Sequence, residues 1–96
     1  MTQDLAILRH LQAHRDQWIS AFDLQQVSGS LATHSRVDNL RKTYDVVLRN
    51  VTTRSQGGQA ESLYMLMSRA AAAAWLKAGS PREPGERPSK YHRVLD

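Results

Sequence analysis

The stretch His34–Leu48, HSRVDNLRKTYDVVL, changes its hydrophobic period halfway along. Val37, Leu40 and Tyr44 recur at the three- or four-residue spacing of a helix, whereas from Val46 onward the side chains alternate as they do in a strand. The stretch therefore predicts a helix followed directly by a strand. The polar side of that helix either meets only water or binds a partner.

The composition predicts one small domain. The chain has 96 residues, of which 41% are apolar, and this is enough for a single core. It has no cysteine, which excludes a disulfide scaffold and a thiolate metal site. No apolar run approaches the roughly 18 residues of a transmembrane helix, and the N-terminal MTQDLAILRH carries an acid where a signal peptide has basic residues. We therefore expect no membrane association and a cytoplasmic location.

The charge favours an anionic partner. Thirteen Lys and Arg against nine Asp and Glu give a net charge of +4 and a pI near 10.0. Between Arg36 and Arg54 there are five basic residues and two acidic ones. The positive charge is thus concentrated around the opening stretch, and nucleic acid is the commonest partner for such a segment.

Two further helices are predicted before the opening stretch. Thr2 is placed to cap the first, which runs to about His14 or Arg15. A short strand at the two-residue apolar segment Trp18 and Ile19 then precedes Ser20, which is placed to cap a short second helix over about 21–27. The turn at 28–30 leads to the third helix, which begins near 31–33 and ends near 42–43. The side chains of these two helices expected to face the core are Leu24, Val27, Leu31, Thr33, Val37, Leu40 and Tyr44.

The second half of the chain predicts a hairpin, a helix and a tail. Strands over 45–52 and 61–67 flank a turn with the Gly57-Gly58 pair, which supplies the backbone conformations of a tight connection. Ser68 is placed to cap an alanine-rich helix that stops at Gly79. Trp75 of this helix is expected to pack on its own domain or on a second copy. The predicted division is a domain over 1–67, a helix over 68–79 and a disordered basic tail over 80–96.

The chain resembles the small winged helix-turn-helix DNA-binding domains of phages and prophages. The matching residues are ILRHL at 7–11 and RVDNLRKTY at 36–44, followed by a strand and the closing YML at 64–66. Thr43 stands where that family usually has a glycine, and Thr33 where it usually has a leucine. The resemblance implies an α+β, mostly α fold, with three helices, a two-stranded wing and here an extra C-terminal helix. It also implies a phage or prophage regulator with the third helix in the major groove of DNA and the wing on the backbone.

The third helix and the hairpin carry the candidate DNA contacts. Arginine and lysine match guanine edges and phosphates, and asparagine matches adenine. The alternative is a solvated helix face with an Asp38–Lys42 pair, together with a hairpin tip that is polar only because tips generally are. The predicted contacts are His34, Ser35, Arg36, Asn39, Arg41 and Lys42 on the helix, and Arg49 and Arg54 on the hairpin.

No residues predict an enzyme, a cofactor or a metal site. His10 and His14 have the spacing of two ligands on one helix, but HLQAH has Leu11 where the zincin motif has glutamate. The expected partner is double-stranded DNA, bound specifically by a monomer or a homodimer. The alternatives are a protein-interaction module that binds and inhibits a host or phage protein, and a nonspecific architectural DNA binder.

Overall fold

The computed structural model describes residues 2–54 and 57–86 and has an α+β fold. Four helices accompany one three-stranded antiparallel sheet with the strand order β1-β3-β2. The helices and strands follow in the predicted order. They are α1 Gln3–Ala13, β1 Ile19–Ser20, α2 Ala21–Ser28, α3 Thr33–Thr43, β2 Leu48–Arg54, β3 Ala60–Leu66 and α4 Arg69–Lys77.

Local side-chain caps set three of the helix starts. The hydroxyls of Thr2, Ser20 and Ser68 each accept a hydrogen bond from the backbone N–H three residues ahead, at 3.2, 3.1 and 3.3 Å. These bonds satisfy N–H groups that a helix leaves unpaired in its first turn. Gly29, with φ of +70°, ends α2 in the left-handed conformation. The caps predicted at these positions are confirmed.

The passage from α3 to β2 differs from its prediction. The helix ends at Thr43 without a glycine, because Tyr44 adopts an extended backbone with φ of −116° and ψ of 148°. The Val46 N–H donates to the Tyr44 carbonyl at 3.0 Å, which forms a three-residue turn. The strand therefore begins at Leu48 instead of Asp45, and it continues to Arg54.

The three N-terminal helices cover one face of the sheet and form the core. Each contributes its apolar face, and β2 and β3 contribute alternate residues. The fully or almost fully buried members are Ile7, Leu8, Leu11, Leu24, Val37, Leu40, Leu48, Tyr64 and Leu66.

Three residues expected in the core are exposed instead. Leu31 precedes α3 and is 89% exposed, and Tyr44 leaves the helix face because its backbone is extended. Val27 lies at the edge of the face centred on Leu24 and is also partly exposed. The buried aromatic ring of this core is Tyr64 of β3.

The opposite face of the sheet is covered by the C-terminal part of the chain. The Arg49 guanidinium lies over the rings of Trp18 and Trp75, with its carbon 5.3 and 4.6 Å from the two ring centroids. It donates two hydrogen bonds to the Glu86 carboxylate, at 2.9 and 2.6 Å. The Arg49 and Glu86 side chains are only 8% and 2% exposed. Arg49, predicted to contact DNA, is therefore an internal residue of the fold.

Residues 80–86, predicted to belong to the disordered tail, fold back along β2. The Trp75 indole N–H donates to the Pro81 carbonyl at 2.7 Å, and the Thr52 N–H donates to the Gly85 carbonyl at 3.1 Å. Glu86 forms an isolated antiparallel bridge with Val51. The prediction failed here because proline and charge favour disorder by composition, whereas the β2 partners of Gly85 and Glu86 lie more than 30 residues away in the sequence. The remaining tail, 87–96, lies outside the described residues.

Replacement of Glu86 by glutamine is expected to lower the free energy of unfolding by about 3 kcal/mol, because it leaves a buried guanidinium without its counter-charge. Glu83→Gln is the matched control, since Glu83 is exposed, and it is expected to stay within about 0.5 kcal/mol of the wild type. Urea unfolding followed by tryptophan fluorescence measures both. Equal values for the two variants would contradict the structural role of the Arg49–Glu86 pair.

Candidate nucleic-acid interface

One face of α3 is free of the core and polar. Because Val37 and Leu40 point inward, Ser35, Asn39 and Lys42 share the opposite side at spacings of four and three residues. All three are exposed. We call these three residues the α3 strip, and it offers a hydroxyl, an amide and an ammonium group along one helix face.

Arg36 lies beside the strip and leans towards α1. Its Nη1 is 3.5 Å from the Asp4 carboxylate, and both side chains are about one-third exposed. Its Nε is buried and has no hydrogen-bond partner within the described part of the chain. A pair at this distance and exposure is weak, so Arg36 can leave it for a phosphate or a base at low cost.

Arg41 is used within the fold. Its Nε and Nη2 donate to the Leu48 carbonyl at 3.1 and 2.8 Å, and its Nη1 donates to the Asp38 carboxylate at 2.7 Å. The side chain is only 6% exposed. Arg41 therefore fastens the end of α3 to the start of β2, and it compensates the negative charge of Asp38 beside the α3 strip.

His34 connects α3 with the hairpin. Its Nδ1 lies 3.0 Å from the Tyr64 hydroxyl, and its Nε2 lies 3.8 Å from an Asp38 carboxylate oxygen. Burial raises the pKa of the Tyr64 phenol above its ordinary value, with a smaller opposing effect of the Arg41 charge and a raising effect of Asp38. The Tyr64 hydroxyl is thus protonated at neutral pH.

The inner face of the hairpin becomes polar beyond the core. Cross-strand pairs of β2 and β3 on this face begin with Leu48 opposite Leu66 in the core. Towards the turn they continue as Asn50 opposite Tyr64, Thr52 opposite Ser62 and Arg54 opposite Ala60. Arg54 is exposed and donates to the Gly58 carbonyl at 3.3 Å. Gln56 of the predicted turn lies outside the described residues.

A groove of about 350 Å³ separates this hairpin face from the start of α3. Thr33 and His34 contribute from α3, and the hairpin contributes mostly hydroxyl and amide groups. Sequence reasoning did not select most of these residues, although the alternation of polar side chains along two predicted strands was a usable signal. The groove is lined by Ala21, Gln25, Leu31, Thr33, His34, Asn50, Thr52, Ser62 and Tyr64.

The two histidines of α1 lie together, with ring centroids 4.7 Å apart. Across residues 2–54 and 57–86, no three His, Cys, Asp or Glu side chains gather as a metal site would require. In the same ranges, no helix has the length and apolar content needed to span a bilayer.

Comparison of the chain with protein-family models, curated proteins and solved structures gave no match.

Replacement of two neighbouring basic residues is expected to change the free energy of unfolding by very different amounts. Arg41→Gln should lower the free energy of unfolding by about 2 kcal/mol, because Asp38 and the Leu48 carbonyl lose charged hydrogen bonds. Lys42→Gln should change it by less than about 0.5 kcal/mol, since Lys42 is exposed. Thermal unfolding followed by circular dichroism separates the two. A larger loss for Lys42→Gln would contradict the assignment of Arg41 to the fold.

Proposed function

We propose that this chain is a winged helix-turn-helix domain that binds double-stranded DNA in a sequence-specific way, as a small phage or prophage regulator. The observation that carries the proposal is the α3 strip. It is a polar face on a helix that packs against two others and is followed, after a short turn, by a hairpin with Arg54 exposed near its end. In this arrangement α3 enters the major groove and the β2–β3 hairpin is the wing on the backbone.

The groups on α3 suit base and phosphate recognition. The Asn39 amide both donates and accepts, so it can bind the N6 and N7 positions of adenine together. Lys42 supplies a point charge for a phosphate or for guanine, and Ser35 and His34 lie near the helix start, which usually meets the bases. Arg36 can reach the same surface by leaving Asp4.

The accessible charge is smaller than the count of basic residues. Arg41 and Arg49 are buried and paired with carboxylates inside the fold, whereas Arg36 is partly exposed and Lys42 and Arg54 are exposed. Three phosphate contacts correspond to a slope of about −3 in a plot of log affinity against log salt. Specific recognition by α3 must therefore supply much of the affinity.

Selection of bound duplexes from a random pool tests the proposal. Enrichment of one motif supports sequence-specific binding, and a palindromic motif would indicate a homodimer on paired half-sites. Retention of duplexes without any enriched motif would support nonspecific binding instead.

Asn39→Ala is expected to weaken binding to the selected duplex by about 5- to 150-fold, because the variant loses a bidentate contact to a base. Its affinity for a scrambled duplex should hardly change. Lys42→Gln should weaken both duplexes alike and make the salt slope less steep by about one. Fluorescence anisotropy at several salt concentrations measures these changes.

Gln12→Ala is the control for Asn39→Ala, since it removes an exposed amide from α1. An Asn39→Ala variant that folds and binds the selected duplex as tightly as Gln12→Ala does would rule out base recognition by Asn39.

A second candidate function is a protein-interaction module that inhibits a host or phage protein. Two exposed apolar side chains favour it, namely Phe22 at 64% and Leu31 at 89% exposure. Absence of duplex binding at low salt, together with a partner retained through Phe22 and Leu31, would support this function over DNA binding.

A further inference from the structure

Thr33, the first residue of α3, has an unsatisfied hydroxyl. The residue is 4% exposed, and its Oγ1 has no hydrogen-bond partner within the described part of the chain. A buried hydroxyl without a partner destabilises a fold, and valine has the same shape without that cost. The oxygen has almost no exposed surface of its own, but Thr33 lines the groove, so a ligand that displaces the neighbouring side chains at the rim can supply the missing hydrogen bond.

The backbone at the same point is suited to an anion. The residue before α3, Ala32, has no side-chain acceptor, so the first N–H groups of this 11-residue helix donate no capping hydrogen bond to it. Unpaired N–H groups and the helix dipole together favour a negative group at a helix start.

The opposite wall of the groove carries polar groups that are also almost fully buried. Asn50 donates its amide N–H to the Leu63 carbonyl at 3.0 Å, and the Tyr64 hydroxyl lies 3.0 Å from His34. Thr52 and Ser62 add hydroxyls farther along the hairpin. Apart from His34, the side chains that line the groove are uncharged.

We propose that this groove binds one phosphate of the DNA backbone, with the Thr33 hydroxyl and the first N–H groups of α3 among its ligands. The inference rests on the proposed function. If α3 lies in the major groove and the hairpin rests on the adjoining backbone, the phosphodiester strand that borders this groove passes between the start of α3 and the hairpin. Leu31 and His34, both exposed at the rim, are the side chains that move to admit it.

A contact of this kind has its own thermodynamic signature. A phosphate contact positions the protein without reading sequence, so it contributes equally on every duplex. Neutral donors also displace no counterion by their own charge, so their loss leaves the salt slope unchanged, unlike the loss of Lys42.

Thr33→Val tests the assignment because stability and binding move in opposite directions. Without DNA, the variant should have a higher thermal midpoint than the wild type. With DNA, it should bind both the selected and the scrambled duplex about 10- to 150-fold more weakly, a loss appropriate to one hydrogen bond to a charged group, at an unchanged salt slope. Thr33→Ser should restore most of the binding. Thr53→Val, the same change at an exposed strand position, should alter neither property.

Duplexes with single methylphosphonate substitutions locate the phosphate. A methylphosphonate at the contacted position should weaken binding by the wild type. It should weaken binding by Thr33→Val little further, because the variant already lacks this contact. Thr33→Val binding as tightly as the wild type, while Asn39→Ala is weakened, would overturn this inference and leave the proposed function intact. Absence of any duplex binding by the wild type would overturn both.

Free phosphate, instead of a phosphate of the DNA backbone, is the alternative ligand for this groove. If millimolar inorganic phosphate raises the thermal midpoint of the wild type but not that of Thr33→Val, and no methylphosphonate position matters, the assignment to the DNA backbone is overturned.

Discussion

The buried ion pair between Arg49 and Glu86 is the interaction on which the hairpin side of the molecule depends. A guanidinium placed between two indole rings has lost most of its hydration, and only a bidentate carboxylate with the same burial can compensate it. The ion pair holds Glu86 against β2. Helix α4 packs on the same side of the sheet, because Trp75 lies against the same guanidinium. The sheet is consequently covered on both faces, and the hairpin projects from a fixed base.

A second arginine has a similar role at the base of the hairpin. Arg41 binds the Leu48 carbonyl where β2 begins, and it also holds the Asp38 carboxylate. The relation between α3 and the hairpin is thus set by charged hydrogen bonds as well as by apolar packing. For the proposed DNA complex this matters because α3 and the wing must present a fixed spacing to the major groove and the backbone beside it.

The interior also contains groups that the fold itself does not require. Thr33 is buried with an unsatisfied hydroxyl, and Asn50 and Tyr64 place further polar atoms beside the same groove. Such sites lower stability, and proteins commonly accept that loss where a ligand is bound. In the proposed interface the groove would hold a backbone phosphate while the α3 strip meets the bases.

The sequence by itself determined the order of helices and strands, three of the helix caps and the polar face of α3. These features depend on neighbours within about four residues, so periodicity and capping chemistry specify them. Only the tertiary structure decided which basic residues remain accessible, because Arg49 and Glu86 are 37 positions apart and composition alone makes their segments resemble a wing and a disordered tail. It also decided that Leu31 and Tyr44 leave the core, since small changes of backbone direction at the two ends of α3 carry their side chains off the buried face. Local pattern specifies helices and strands, whereas burial and pairing of a charge depend on what the rest of the chain brings to it.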